Sequence, residues 1–238
     1  MVPVVLAPEV DSSPGMVRFK ICGIVSKQDA LLGVSHGADA LGFLVGLDYQ
    51  SNDEVTRETA ADIIAVVPPF VSTVLVTHRV DMPWIVETAC IVRCSTIQLH
   101  GQFPLEQIPL LRAQLPHVKI SRVAHVESER AIQLATHVAE WADAVHLDTR
   151  TATRLGGTGL IHDWRISARI VQHVNAPVIL AGGLTPVNVG RAIEVVRPYA
   201  VDVNSGVDAG DGPAKSPEKL RAFSEAVRRA QNELSPIG

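Results

Sequence analysis

Apolar residues fall into two alternating kinds of segment along this chain. Short runs rich in Val, Ile and Leu predict strands over 17–22, 39–45, 71–76, 96–99, 118–122, 144–148, 177–181 and 200–204. Longer stretches with helical spacing of apolar residues predict helices over 26–35, 56–66, 82–92, 104–114, 127–138, 163–173, 186–195 and 217–232. Helix starts carry chemical signals. Ser26 is placed to cap a helix, with Asp29 three residues on. Thr185–Pro186 and Ser216–Pro217 each set a hydroxyl before a proline, the arrangement expected at a helix start.

Strand–helix alternation of this kind closes into a barrel or lies open as a doubly wound sheet. The open dinucleotide-binding sheet requires a Gly-x-Gly-x-x-Gly turn after its first strand, and here that turn reads "CGIVSK". A chain of 238 residues suits a (β/α)₈ barrel of typical size. The expected fold class is therefore α/β, a single (β/α)₈ TIM barrel spanning 17–238. Residues 1–16, "MVPVVLAPEVDSSPGM", read as a flexible N-terminal extension without the basic region and apolar core of a secretory signal.

Composition narrows the function classes. A net charge of −4 leaves no basic footprint for nucleic acid, and no apolar run approaches the ~20 residues that span a bilayer. The three cysteines, Cys22, Cys90 and Cys94, make no disulfide framework, so a reducing, cytoplasmic setting is expected. Cys90 and Cys94 share a helix face, but no further Cys or His pair completes a metal site. They read as core. His36, His78, His117 and His173 fall in loops or helix ends and receive no role.

Candidate chemistry comes from the period-2 alternation. With Phe19 and Ile21 turned to the helices, Lys20 and Cys22 point into the barrel. The same reading turns Gln98 and His100 inward on the fourth strand, His146 and Asp148 on the sixth, and Asp202 and Asn204 on the eighth. Cys22, His100, Asp148 and Asp202 then meet at the mouth, where barrel enzymes carry their chemistry. A thiol and carboxylates in one cavity suit general acid–base work. Each residue alone has a plainer reading: a packed thiol, a helix cap, a satisfied core histidine, a neutralising lysine. Glycine-rich turns follow the sixth, seventh and eighth strands, "RLGGTG", "AGGLTP" and "NSGVDAGDG". Gly157, Gly159, Gly182, Gly183, Ser205 and Gly206 are the expected phosphate-binding positions, since glycine lets backbone N–H groups approach an anion. The expected partner is a phosphorylated small molecule.

The motifs "KICGI", "GADALGF", "QLHG", "LDT", "GGTG" followed by "DW", "AGGLTPVNV" and "RPYAVDVNSGVD" occur in order from Val17 onward. Together they resemble the phosphoribosylanthranilate isomerase family of tryptophan biosynthesis. The resemblance implies a cofactor- and metal-free Amadori rearrangement of a phosphoribosylamine. It implies Cys22 as general base at C2 and Asp148 as general acid on the furanose oxygen. Lys20, His100, Asp53 and Asp202 become expected substrate-binding residues, and the state is monomer or homodimer. For a thiolate to form at neutral pH, the Cys22 pKa is expected to be shifted down, with help from Lys20.

One segment departs from the family. After the second strand the family carries a Pro-x-Ser-x-Arg-type segment whose arginine binds the anthranilate carboxylate. This chain reads "LVGLDYQSNDEVTRETA", with Asp53 at the arginine position. The departure widens the expected substrate from N-(5-phosphoribosyl)anthranilate to a related phosphorylated sugar. Two readings compete: a Schiff-base lyase or aldolase using Lys20, and a non-catalytic sugar-phosphate-binding barrel.

Overall fold

A computed structural model describes residues 16–151, 154–155, 162–210 and 212–234. Eight parallel strands close a barrel: β1 (Arg18–Ile21), β2 (Ala40–Leu44), β3 (Ser72–Thr77), β4 (Thr96–Leu99), β5 (Lys119–His125), β6 (Ala144–Asp148), β7 (Val178–Leu180) and β8 (Ala200–Val203). Each pairs with its neighbours in the chain, and β1 pairs with β8 through Lys20↔Asp202 and Ile21↔Val203. Helices α1 (Lys27–Ser35), α2 (Arg57–Ile64), α3 (Met82–Val92), α4 (Ile108–Gln114), α5 (Arg130–Ala139), α6 (Trp164–His173), α7 (Val189–Val196) and α8 (Pro217–Leu234) follow the strands in turn. A short antiparallel ribbon joins Arg150–Thr151 to Arg154–Leu155 after β6.

The alternation expected from the sequence is the one that builds the molecule. Phe19, Ile21, Leu41, Phe43, Leu75, Ile97, Leu99, Val145, Leu147, Leu180, Val201 and Val203 are buried in one cluster shared with the helices. Each such side chain contributes roughly 1.5–3 kcal/mol by leaving water. Inside the barrel the surroundings divide. Cys22, Leu44, Val74 and Val76 form a separate small apolar cluster. The rest of the buried interior is polar, with Lys20, Gln98, His146, Asp148 and Asp202. Gly42 makes room for this arrangement: a Cβ there would stand 2.8 Å from Cys22 Sγ and from Lys20 Cε.

Several boundaries differ from the sequence expectation. Ser26 caps α1 as expected, accepting from the Asp29 N–H at 3.0 Å. Helix α7 starts at Val189 rather than 186, because Thr185 spends its N–H on the Asn188 side chain at 2.8 Å and the chain turns first. Helix α5 starts at Arg130 rather than 127, since β5 runs on to His125. Residues 1–15, the bulk of the expected extension, lie outside the described residues, as do Gly157 and Gly159. Among the described residues no helix is long and apolar enough to cross a membrane.

Candidate active site

The C-terminal strand ends surround one cleft. Its lining includes Cys22 from the end of β1, His100 just past β4, Asp148 closing β6 and Asp202 on β8. Glycines 182 and 183 after β7, and Ser205 and Gly206 after β8, line it as well. The two glycine loops touch: a Cβ on Gly206 would collide with the Leu184 carbonyl oxygen. Gly182 has φ +89°, a backbone that side chains resist, and a Cβ there would strike Thr149 Oγ1. This close approach seats the β7 loop against the residue next to Asp148.

The acid and the thiol lie in different electrostatic surroundings. Burial raises the Asp148 carboxyl to about 7, despite the Thr149 N–H that donates to its Oδ1 at 2.7 Å. Asp148 therefore keeps its proton close to neutral pH, as a general acid requires. Cys22 does not follow the expected direction. Burial in its apolar corner pushes the thiol up to about 11, outweighing the nearby Lys20 ammonium. Lys20 is itself committed elsewhere. Its Nζ lies 2.8 Å from Asp202 Oδ2, and His146 Nε2 stands 2.9 Å from the same oxygen. Burial would raise the Asp202 carboxyl, but Lys20 and then His146 hold it well below the usual carboxylate range. Burial would lower Lys20, but Asp202 and then Cys22 together raise it above its ordinary value.

His100 Nε2 lies 3.5 Å from Asp148 Oδ2, and its Nδ1 is 3.4 Å from the Gln98 amide nitrogen. Burial, then the imidazoles of His78, His125 and His146, drive His100 well below the ordinary histidine range. An uncharged His100 leaves Asp148 without cationic stabilisation on that side, consistent with the raised carboxyl.

Two residues expected to bind substrate are placed elsewhere. Lys20 does not line the cleft; it lies beneath, between Cys22 and Asp202. Asp53 does not line it either. Its Oδ2 accepts from Asn204 Nδ2 at 2.6 Å, and Ser51 donates to its other oxygen. Asn204 Oδ1 in turn accepts from Lys215 Nζ at 3.0 Å, and Lys215 pairs with Asp208 at 2.6 Å. Asp53 thus latches the loop after β2 to the loop after β8. Glu54 reinforces that loop by accepting from the Gly46 and Leu47 N–H groups at 3.0 and 2.9 Å.

The structure adds residues that sequence reading left without a role. His78, just past β3, lines the cleft, stacks on His100 and hydrogen-bonds Asp48. His146 fixes Asp202 from β6. Thr149 Oγ1 bonds His162 Nδ1 at 3.0 Å, and His162 Nε2 bonds the buried Ser167 at 2.6 Å. That chain anchors the residue beside Asp148 to α6. The inward parity of residue 146 was legible; the partners of 78 and 162 come from distant segments.

Comparison with known proteins identifies the family. Residues 19–226 match the family model described as N-(5'phosphoribosyl)anthranilate (PRA) isomerase. The N-(5'-phosphoribosyl)anthranilate isomerase of Methanocella arvoryzae is 41% identical over 213 residues, covering 90% of this chain and 99% of that one. The crystal structure of the Thermotoga maritima phosphoribosyl anthranilate isomerase superposes with a TM-score of 0.79 at 36% identity, covering 90% of this chain and all of that one. Another phosphoribosyl anthranilate isomerase structure, in complex with reduced 1-(o-carboxyphenylamino)-1-deoxyribulose 5-phosphate, gives 0.76 at 34% identity, with the same coverage. A barrel mouth carrying a buried carboxyl, a thiol and paired glycine loops, on a chain matched along nearly its whole length, leaves one assignment: the chain is an enzyme that belongs to the N-(5'-phosphoribosyl)anthranilate isomerase family.

Proposed function

We propose that this enzyme isomerises N-(5'-phosphoribosyl)anthranilate to the corresponding 1-amino-1-deoxyketose phosphate, with Asp148 as general acid and Cys22 as general base. The single observation carrying this reading is that Cys22 and Asp148 line one cleft, with the Asp148 carboxyl raised to about 7. The phosphate would rest on Gly182, Gly183, Ser205 and Gly206.

Asp148 gives its proton to the furanose oxygen as the C1–O bond breaks, leaving an iminium cation at C1. That cation acidifies the C2 proton and, lying beside the thiol, favours its ionised form. Cys22, pushed up to about 11 by its burial, becomes a competent base only after this step, when its thiol proton passes through water in the cleft to replace the one Asp148 has given up. The thiolate takes the C2 proton, and the resulting enol-amine rearranges to the ketose, with no net gain or loss of atoms. The order of steps follows from the sugar itself: the C2 proton is acidic only once ring opening has made the iminium at C1.

The Schiff-base alternative is disfavoured physically. Lys20 is an ammonium held by Asp202 below the cleft floor, so no free amine faces a carbonyl. The names of the relatives support the anthranilate substrate over another phosphorylated aldose. The test is turnover of N-(5'-phosphoribosyl)anthranilate, followed by loss of its fluorescence. Wild type should turn over, and Cys22→Ser and Asp148→Asn should each lose roughly 10²–10⁴ in kcat. Wild type inert on this substrate but active on a different phosphorylated aldose or glycosylamine overturns the reading.

A further inference from the structure

The cleft has two chemically different ends. Gly182, Gly183, Ser205 and Gly206 form one; Tyr49, His78 and His100 form the other. With the sugar phosphate at the glycine end, the aglycone reaches the imidazole end. The anthranilate ring carries a carboxylate, and a carboxylate taken from water needs donors, preferably charged ones.

Among the described residues, neither Lys nor Arg lines the cleft. Arg79, close in sequence, lies over the Trp84 ring at 5.3 Å. Asp53 is tied to Asn204 and carries the wrong sign. His100 is held uncharged by burial and by its imidazole neighbours. His78 is built differently. Its Nδ1 stands 2.5 Å from Asp48 Oδ1, and its main-chain N–H donates to the Gly46 carbonyl at 3.2 Å. Its ring lies on that of His100 at 4.9 Å with a 19° tilt, and meets the Tyr49 ring edge-on at 5.4 Å. The groups facing it are thus Asp48 and Tyr49 from the loop after β2 and His100 from β4. They fix the ring from three sides, and one of them is an anion.

We infer that His78, held by Asp48, is the specificity-determining residue that receives the aglycone carboxylate. The inference rests on the anthranilate reading above. In this reading one ring nitrogen of His78 is paired with Asp48 and the other donates to the substrate carboxylate. One ring N–H presents a single donor where a guanidinium fork presents two, so this reader is weaker and more easily tuned.

The experiment crosses enzyme variants with substrates. N-(5'-phosphoribosyl)anthranilate and its decarboxylated analogue, N-(5'-phosphoribosyl)aniline, are each formed in situ and assayed with wild type, His78→Gln and Asp48→Asn. Wild type should prefer the carboxylated substrate in kcat/KM by about 10- to 100-fold, the scale of one charge-assisted hydrogen bond. His78→Gln should lose most of that preference through a raised KM for the carboxylated substrate, with KM for the aniline substrate moving far less. Asp48 is 55% exposed at its side chain, so Asp48→Asn tests the pair without burdening the fold; it should lose several-fold of the preference. Equal losses on both substrates, or an undiminished preference in both variants, overturn the assignment of His78. Wild type failing on the anthranilate substrate overturns the underlying function instead, and the assignment with it.

Discussion

Replacing Asp148 by Asn should destroy activity and stabilise the protein, with a pH signature that only a buried acid gives. The folded carboxyl titrates at about 7 against an ordinary 3.8. Between those values the unfolded chain has released the proton and the folded chain still holds it. Wild-type stability therefore falls as pH rises from about 4 to 7, then levels off above 7, where both states are ionised. Asn has no proton to lose and keeps an acceptor for the Thr149 N–H. The stability gap in favour of Asp148→Asn should widen by about 2–3 kcal/mol from pH 5 to pH 7.5, at ~1.4 kcal/mol per pH unit. For a domain of this size that is about 5–10 °C in Tm. Thermal melts of both proteins across pH 4–9 make the measurement. A gap that is constant across the range, or that shrinks as pH rises, refutes a buried, proton-holding Asp148. Wild-type kcat/KM should meanwhile fall above pH 7 as the acid ionises, while the variant stays low throughout.

Two further outcomes follow from the thiol corner. In a Cys90→Ser background, which removes the exposed cysteine, iodoacetamide should modify Cys22 at a rate still climbing at pH 9.5; a plateau near pH 8 would contradict the apolar burial of the thiol. Gly42→Ala would bring a methyl within 2.8 Å of Cys22 Sγ and Lys20 Cε, so it should cost about 1–3 kcal/mol of stability and at least ~10-fold in kcat; melts and kinetics matching wild type would show the interior looser than described.

The barrel was legible because its outer layer is nearly pure hydrocarbon. Phe19, Ile21, Ile97, Leu99, Val145, Leu147, Val201 and Val203 set the strand parity, and parity alone places Cys22, His100, Asp148 and Asp202 at one mouth. Two things were out of reach. The direction of the Cys22 shift depends on Leu44, Val74 and Val76, which crowd the thiol from two other strands. The role of Asp53 depends on Asn204, 151 residues away, and in alignment a latch looks the same as a missing reader.

That His78 lines the cleft, and that β5 runs on to His125, was missed for a more general reason. Reading strands as apolar runs ended the third at 76 and the fifth at 122, whereas β3 reaches Thr77, directly before His78, and β5 reaches His125. A catalytic barrel concentrates polar groups at its C-terminal strand ends, so the rule that finds a strand stops short where the chemistry begins. The same conflict has an energetic side. Gln98, His146 and Asp202 put polar groups into the buried interior, where each must be paired to offset the cost of leaving water. The Lys20–Asp202 pair adds a desolvation cost that its attraction offsets only while both partners remain. The hydrocarbon outer layer must carry the fold by itself, and the interior layer is left available for function. Substitutions that make that interior more apolar should therefore raise stability as they lower turnover, and Asp148→Asn is the instance in which the two effects are separable by pH.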